Sequence, residues 1–408
     1  MKIPLGARYA ALAALPLFAG CGDYGDHCGN CSYGPPTEVS YGLVTGHFNA
    51  AGGTSVIATS TVYYQPSFNS GNLKSYLSSG VGSFAPATLT AAGTDPLYLA
   101  AADINGDGLA DLVSASYDDG AVSVFINNPQ APGTFSAPLS LPSPGASQVA
   151  VADMTGDGLA DIVSADYNVS LFVQTAPGAF ANPVTLYSGG ANWVALGDLN
   201  GDGIPDVALT DASGVQLLMH AGAAGTTTYA APVQIYAATA NADVQGANII
   251  AIADLNGDGF NDLVITDQGP TGGAAPTVSV LYQNPAQPGQ FLTPVSYPIA
   301  PGSRAQSIVV KDINGDGLPD IVIGGTRAVS VLRQVANSAG NTFTDTDYSV
   351  YDASEIGVAD VNGDGLLDIV VPTGVTQATV NGVVTNNPGV LLATGPGVFA
   401  AETDLVAP

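Results

Sequence analysis

The nine residues DINGDGLAD, at positions 103 to 111, place three aspartates and one asparagine around two glycines. The pattern occurs in six copies, which begin at Asp103, Asp153, Asp198, Asp254, Asp312 and Asp360. Successive copies start 50, 45, 56, 58 and 48 residues apart. A repeat of this length predicts a chain built from copies of one supersecondary unit.

Each unit contains four short segments with strand character. In the first complete unit these segments are residues 98–102, 112–117, 121–128 and 135–141, each bounded by Gly, Pro, Asn or Asp. The whole chain is 46% hydrophobic and 10% charged, with 51 glycines and 28 prolines. This composition favours an all-β fold, and four-stranded units repeated about an axis form the blades of a propeller.

A seventh unit precedes the first acidic loop. Residues 43–60, LVTGHFNAAGGTSVIATS, align with the repeat and place His47, Asn49, Ala51 and Ser55 at its first, third, fifth and ninth positions. The carboxylates are lost, but the strand, loop and strand remain. The sequence therefore predicts a seven-bladed β-propeller of four-stranded antiparallel blades, each blade contiguous in sequence.

The acidic loops have the ligand chemistry of a hard cation. Oxygen donors at positions 1, 3 and 5, a carbonyl at position 7 and glycines for a sharp turn suit Ca²⁺, and position 9 supplies a further carboxylate. Without a cation, three carboxylates in one loop repel each other. We therefore expect about six calcium sites. Their predicted ligands are Asp103, Asn105, Asp107, Leu109, Asp111, Asp153, Thr155, Asp157, Leu159, Asp161, Asp198, Asn200, Asp202, Ile204, Asp206, Asp254, Asn256, Asp258, Phe260, Asp262, Asp312, Asn314, Asp316, Leu318, Asp320, Asp360, Asn362, Asp364, Leu366 and Asp368.

Two other interpretations of these loops exist. An EF-hand needs a glutamate at position 12 and flanking helices, whereas position 12 is Ser, Leu, Ile or Val here and strand-like residues flank the loops. Asp, Asn and Gly also form good turns without a metal. Turn formation alone does not require an aspartate at position 9 in all six copies.

These six loops, with the F-x-x-P strands, resemble the FG-GAP or VCBS repeat family across residues 40–408. The resemblance implies calcium loops in a seven-bladed propeller like that of integrin α chains. The chain departs from the family pattern in three ways: the literal FG-GAP string is absent, Tyr229 replaces the Phe of one F-x-x-P, and Phe343 and Phe399 lack its proline. Thr155 replaces Asn in the second loop, which predicts weaker binding there.

The N-terminus has the features of an export signal. Lys2 and Arg8 precede a ten-residue apolar run that is too short to span a bilayer. Residues 18–21, FAGC, resemble a bacterial lipobox, which implies a lipoprotein signal at 1–20, lipidation of Cys21 and a bacterial envelope location, with Gly22 favouring the outer membrane. An ordinary secretory signal is the alternative. Residues 21–39 then form a Gly-rich tether before the propeller at 40–408.

Two cysteines lie in this tether. Cys28 and Cys31 follow His27 in HCGNCSYG. A CxxC sequence fits a redox or metal site, but no helix follows to lower a thiol pKa. A small disulfide between Cys28 and Cys31 in an oxidising compartment is the favoured interpretation.

The charge balance limits the possible partners. The net charge is −27, from 34 acidic and 7 basic residues, so nucleic acids, whose phosphates need Lys and Arg, are excluded as partners. The basic residues beyond the signal are Lys74, Arg304, Lys311, Arg327 and Arg333. Arg304 and Lys311 are expected on either side of a loop in blade six, where they form either an anion-contacting patch or isolated solvated charges.

Three functions fit this sequence. The first is a non-catalytic binding or adhesion module, lipid-anchored, for a protein or glycan partner, with Tyr117, Tyr167 and Trp193 as candidate contacts; Trp193 also suits the core. The alternative is a polysaccharide lyase or hydrolase, which the three histidines and few basic residues argue against. The third is a structural subunit of an envelope complex. We predict no enzymatic activity.

Overall fold

The computed structural model describes an all-β chain. It covers residues 37–49, 53–64, 67–80, 82–165, 167–237, 249–267, 276–300, 304–335, 342–350, 352–373, 377–380 and 383–405. Within these ranges there is no helix long and apolar enough to cross a membrane. The predictions for the signal, Cys21, Cys28 and Cys31 concern residues outside these ranges.

Seven four-stranded antiparallel blades form a β-propeller, which confirms the predicted fold. Blade 1 follows a short strand, β1 (Thr37–Val39), and contains β2 (Leu43–Gly46), β3 (Ser55–Tyr64), β4 (Ser67–Tyr76) and β7 (Thr88–Ala91), with the small hairpin β5 (Ser78–Gly80) and β6 (Ser83–Phe84) before β7. Blade 2 contains β8 (Pro96–Ala102), β9 (Asp111–Ser116), β10 (Ala121–Phe125) and β11 (Leu139–Pro142). Blade 3 contains β12 (Gln148–Ala152), β13 (Asp161–Ala165), β14 (Val169–Phe172) and β17 (Val184–Tyr187), with the hairpin β15 (Gln174–Ala176) and β16 (Ala179–Phe180).

The remaining blades have the same strand order. Blade 4 contains β18 (Trp193–Gly197), β19 (Asp206–Asp211), β20 (Gly214–Leu218) and β21 (Val233–Ala237). Blade 5 contains β22 (Ile250–Ala253), β23 (Asp262–Asp267), β24 (Thr277–Leu281) and β25 (Val295–Pro298). Blade 6 contains β26 (Ala305–Lys311), β27 (Asp320–Gly325), β28 (Ala328–Gln334) and β29 (Phe343–Ser349). Blade 7 contains β30 (Gly357–Ala359), β31 (Asp368–Val371), β34 (Gly389–Leu391) and β37 (Thr403–Asp404), with the hairpins β32 (Gln377–Val380) and β33 (Val383–Asn386), and β35 (Ala393–Gly395) and β36 (Val398–Phe399).

Burial changes from the axis to the rim. The second and third strands of blade 2, β9 and β10, are buried along their whole length, whereas the outer strand β11 is mostly exposed. Strands covered on both faces have continuous apolar sequences. The core lies between blades: Val113 and Val122 of blade 2 form one cluster with Val149 and Ile162 of blade 3.

The first strands form the inner ring of the propeller. Each of them, β2, β8, β12, β18, β22, β26 and β30, contacts the first strand of the next blade, and β30 contacts β2. The strands of a blade alternate in direction, so all connections from first to second strand lie on one face. We call this face, which carries the six acidic loops, the loop face. The opposite face carries turns such as residues 117–120, and we call it the turn face.

The ring closes between blades 7 and 1 by adding a hairpin from the blade 7 segment to the sheet of blade 1, while the four main strands of each blade stay contiguous in sequence. The hairpin β32–β33 extends from blade 7, and β33 pairs in parallel with β1, with Thr37 opposite Val384. The Tyr76 hydroxyl donates to Asn387 Oδ1 at 3.0 Å. Each blade is one contiguous segment, as the sequence predicts.

Candidate functional site

The six acidic loops share one backbone geometry. In the first, Asp103 Oδ1 accepts the N–H groups of Gly106 and Asp107 at 2.8 and 3.1 Å, and Asp103 Oδ2 accepts that of Gly108 at 2.8 Å. Both glycines have positive φ, 75° and 86°, a region that a side chain disfavours. The loop therefore wraps its backbone around the carboxylate at position 1.

Positions 3 and 5 continue this wrapping. Asn105 Oδ1 accepts the Asp107 N–H at 2.9 Å, and Asp107 Oδ1 accepts the Leu109 N–H at 2.9 Å. The Asn105 amide donates to Asp107 Oδ2 at 3.0 Å. The side chains at positions 1, 3 and 5 thus face one short stretch of backbone.

The aspartate at position 9 has a different environment from the others. Asp111 is fully buried at the start of β9. Its Oδ2 accepts the Ile104 N–H at 2.9 Å and its Oδ1 accepts the Asn127 N–H, just beyond β10, at 2.7 Å. All six ninth-position aspartates are buried and make the equivalent pair of bonds, through Asp161, Asp206, Asp262, Asp320 and Asp368. Sequence reasoning identified this aspartate only as a ligand and missed its link to the third strand.

Burial shifts the acidity of these carboxyls. Desolvation raises the pKa of Asp161, Asp206, Asp262 and Asp320 to about 6. Hydrogen bonds from backbone N–H groups lower the pKa, but desolvation is the larger effect. The negative charges at positions 1 and 5 of the same loop add to the rise. A nearby cation would favour the ionised form and oppose this shift.

The donor chemistry of the loops fits calcium. Every predicted ligand atom is an oxygen, the donor that Ca²⁺ takes. In the second loop, Thr155 is 2% exposed and its Oγ1 has no hydrogen-bond partner among the described residues, an orphaned oxygen at the position expected to bind metal. Across the described ranges, however, no three His, Cys, Asp or Glu side chains are grouped as a ready-made metal site. The carboxylates turn toward backbone N–H groups instead.

The candidate aromatic residues separate into surface and core. The Tyr117 and Tyr167 hydroxyls lie 3.0 Å apart on turns of neighbouring blades on the turn face, and Tyr167 is 54% exposed. Trp193 is buried and packs edge-on against Tyr98, with ring centroids 5.3 Å apart. The tyrosines therefore remain accessible, whereas Trp193 belongs to the core.

The two histidines that the structure describes also differ. His220 is buried, stacks edge-on against Tyr229 at 5.4 Å and lies 3.8 Å from Asp202. His47 is exposed, with Nδ1 3.2 Å from the Gly53 carbonyl oxygen. His27 lies outside the described residues.

A buried glutamate, which was not among the predicted functional residues, lies near the axis at the turn face. Glu355 accepts hydrogen bonds from the Leu43 N–H at 2.9 Å and from the Tyr98 hydroxyl, so it joins blade 7 to blades 1 and 2. Burial raises its pKa well above 4.5. With Trp193 and Gln148, these side chains line a cavity of about 20 Å³, room for about one water molecule.

The geometry of six like loops on one face of a seven-bladed ring agrees with comparison to known families. A profile described as "FG-GAP-like repeat" matches residues 56–114, 103–164, 157–209, 198–265, 254–323 and 312–371. The chain belongs to the FG-GAP-like repeat family. Each match extends from one blade into the next, so an FG-GAP-like unit spans the blade boundaries seen here. No curated protein sequence matches the chain at a significant level.

Solved propellers share the fold at low sequence identity. One is an Agrocybe aegerita lectin whose structure shows recognition of non-reducing terminal N-acetylglucosamine. It is 19% identical in sequence, with a TM-score of 0.52, and the match covers 78% of this chain and 81% of the lectin chain. Another is Sqt1 from Chaetomium thermophilum: 13% identity, TM-score 0.55, 90% of this chain and 86% of that one. Identities this low support the shared fold alone.

Proposed function

We propose that this FG-GAP-like propeller is an exported, calcium-stabilised binding module without catalytic activity, tethered to the bacterial envelope by a lipid on Cys21. Its partner is a glycan or a protein. Calcium held by the six loops fixes the connection between first and second strands in blades 2 to 7, and the turn face is left to contact the partner. The lipid and the tether place the propeller at the outer membrane.

The Tyr117–Tyr167 pair carries this proposal. The two side chains come from equivalent turns of adjacent blades and are held together by their hydroxyls, 3.0 Å apart. A tyrosine offers an apolar ring and a polar tip, and tyrosines are enriched where proteins bind partners. A paired, exposed arrangement suits a sugar ring or a partner side chain. The lectin similarity adds a precedent for glycan binding on this fold.

The test uses soluble protein from residue 22 onward. Acidic and neutral polysaccharides are offered in calcium, and both retention of the polymer and formation of new chain ends are measured. We expect retention without cleavage, and a loss of at least about tenfold in affinity for Tyr167→Ala, since stacked aromatic contacts commonly contribute 1 kcal/mol or more. Tyr236→Ala is the control, on the outer strand β21.

The other outcomes lead elsewhere. New chain ends would replace this proposal with a polysaccharide lyase or hydrolase. If no polysaccharide is retained, a protein partner in the envelope becomes the object of the search. If Tyr167→Ala retains the polysaccharide as well as the control Tyr236→Ala does, the turn face is not the binding surface.

A further inference from the structure

A cleft of about 450 Å³ opens on the loop face and is lined by residues of blades 1, 6 and 7. Its walls include the ends of three inner strands: Gly46 of β2, Lys311 of β26 and Ala359 of β30. His47 and Asp360 also line it. A volume of this size lies in the range of small-molecule sites.

The first unusual feature of this cleft is the loop of blade 1. His47 and Asn49 stand where the other blades carry a ligand carboxylate and amide. The Asn49 amide donates to the Ser78 carbonyl at 2.7 Å, and Ser55 Oγ accepts the Ser78 N–H at 2.9 Å. Polar but uncharged side chains therefore hold the parts of this loop that the structure describes, on either side of residues 50–52. In the sequence, it is the connection between first and second strands that lacks the repeated aspartates.

The second unusual feature is Lys311. The other acidic loops are preceded by a small residue, Ala102, Ala152, Gly197, Ala253 or Ala359, whereas Lys311 ends β26. Lys311 is exposed, and its Nζ reaches across to blade 7 and donates to the Val358 carbonyl at 3.0 Å. An ammonium group has three donors, so two remain for a ligand.

These two departures from the repeat are 264 residues apart at His47 and Lys311, yet they line one cleft. Losing carboxylates and gaining an ammonium both make the local potential more positive, on a protein whose net charge is −27. Asp360 also lines the cleft, so the Lys311 ammonium, rather than the cleft as a whole, is the group that would bind an anion. His47 Nδ1 lies 3.2 Å from the Gly53 carbonyl oxygen, which leaves Nε2 as the ring nitrogen for a ligand hydroxyl.

We propose that this cleft binds a terminal acidic sugar, with the sugar carboxylate on Lys311 Nζ and a ring hydroxyl on His47. This is a second site, on the face opposite the tyrosine pair, and it stands or falls independently of that pair. The acidic loops beginning at Asp312 and Asp360 flank the cleft, and at a separation within a Debye length they repel a longer polyanion. The cleft therefore takes one terminal uronate rather than the interior of an acidic polymer.

The test is an NMR titration of the protein from residue 22 onward with glucuronate, galacturonate, glucose and tri-galacturonate, each in calcium and in EDTA. We expect uronate binding in both buffers, with glucose at least about tenfold weaker. Lys311→Gln is expected to weaken uronate binding by about 10- to 100-fold, as for loss of one charged hydrogen bond. Lys311→Arg retains the charge and most of the binding. Arg327→Gln, an exposed residue in a turn on the other face, is the charge-matched control.

Several results would overturn the site. Uronate binding that is unchanged in Lys311→Gln, or that occurs only in calcium, would assign the carboxylate to a loop cation instead. Equal affinity for glucose would remove the role of charge, and equal affinity for an Asp-Glu dipeptide would remove the sugar. One result would reject this site and keep the proposed function. In that case Tyr167→Ala loses polysaccharide retention, Lys311→Gln keeps it, and the protein binds no uronate. The melting temperature of each variant shows whether it is folded.

Discussion

The loop of blade 1 and the six acidic loops make the same contact to the third strand of their blade, but with different side chains. In blade 2, buried Asp111 accepts the Asn127 N–H that follows the third strand at 2.7 Å. In blade 1, buried Ser55 at the same repeat position accepts the Ser78 N–H that follows its third strand at 2.9 Å. A hydroxyl thus replaces a carboxylate, and the blade keeps its form.

This comparison separates two roles that coincide in the acidic loops. The bond from position 9 to the third strand belongs to the blade, because blade 1 keeps it. The carboxylates at positions 1 and 5 have a different role, because blade 1 lacks them and its strands β2, β3, β4 and β7 still pair in the order seen in the other blades. The calcium that we propose for these loops would offset their mutual repulsion.

Calcium removal should have the largest effect. Each occupied site stabilises the folded state by about 2.7 kcal/mol when free calcium is about 100 times the dissociation constant, and six loops contribute. We expect the urea midpoint to fall sharply in EDTA. Equal midpoints in calcium and EDTA would show that the loops are turns only.

The number of calcium ions that the protein binds tests the comparison between blade 1 and the other blades directly. Asp103→Asn should lower the number of calcium ions bound, measured calorimetrically, from about six to about five. His47→Asn is the matched change in blade 1 and should leave the number unchanged. A seventh site, or a loss with His47→Asn, would contradict the division of roles.

Removing a ninth-position aspartate should destabilise the protein even without calcium. Asp262→Ala leaves the buried N–H groups of Leu255 and Gln283 without their acceptor. At 1–3 kcal/mol for each unsatisfied group, we expect a loss of about 2–6 kcal/mol in urea denaturation in EDTA. Asp258→Ala, at exposed position 5, should cost less than about 1 kcal/mol in EDTA. Equal losses would deny the buried aspartate its separate role.

The junction of blades 7 and 1 should respond to pH through Glu355. Its folded-state pKa is raised well above 4.5 by burial, so the folded chain holds a proton that the unfolded chain has released. The free energy of unfolding therefore falls as the pH rises from about 4.5 through the folded-state pKa. Glu355→Gln cannot ionise and still offers the Leu43 N–H an acceptor.

Thermal melts of the two proteins between pH 4.5 and 8, in EDTA, measure this effect. The wild-type melting temperature should fall more steeply than that of Glu355→Gln. The ninth-position aspartates, whose pKa values are all raised and reach about 6 in four of the loops, contribute the same slope to both proteins and cancel. Parallel curves would show that Glu355 does not gain its proton on folding.

The sequence predicts the repeated part of this molecule well and the unique part poorly. The period near 50 residues and the alignment of Ser55 with Asp111 depend on local patterns, and these predict seven blades and the frame of blade 1. The contact from Glu355 to Leu43 spans 312 residues, and the pairing of β33 with β1 spans a similar distance. Neither has a repeat to reveal it, since each occurs once at the ring closure. The proximity of His47 and Lys311 was missed for the same reason.

The smallest effect belongs to Ser55 itself. Ser55→Ala removes the acceptor of the buried Ser78 N–H, a single neutral bond, and should lower the free energy of unfolding by about 1–3 kcal/mol. Ser55→Asp is the informative partner: the carboxylate restores the acceptor of the other blades but is buried in a loop with no other ligand carboxylate. If position 9 only supports the pairing of the strands, Ser55→Asp should have a lower free energy of unfolding than wild type. Adding calcium should not restore this loss in urea denaturation. Recovery in calcium would mean that the fold of blade 1 alone supplies enough ligands for a cation, and the two roles would then be one.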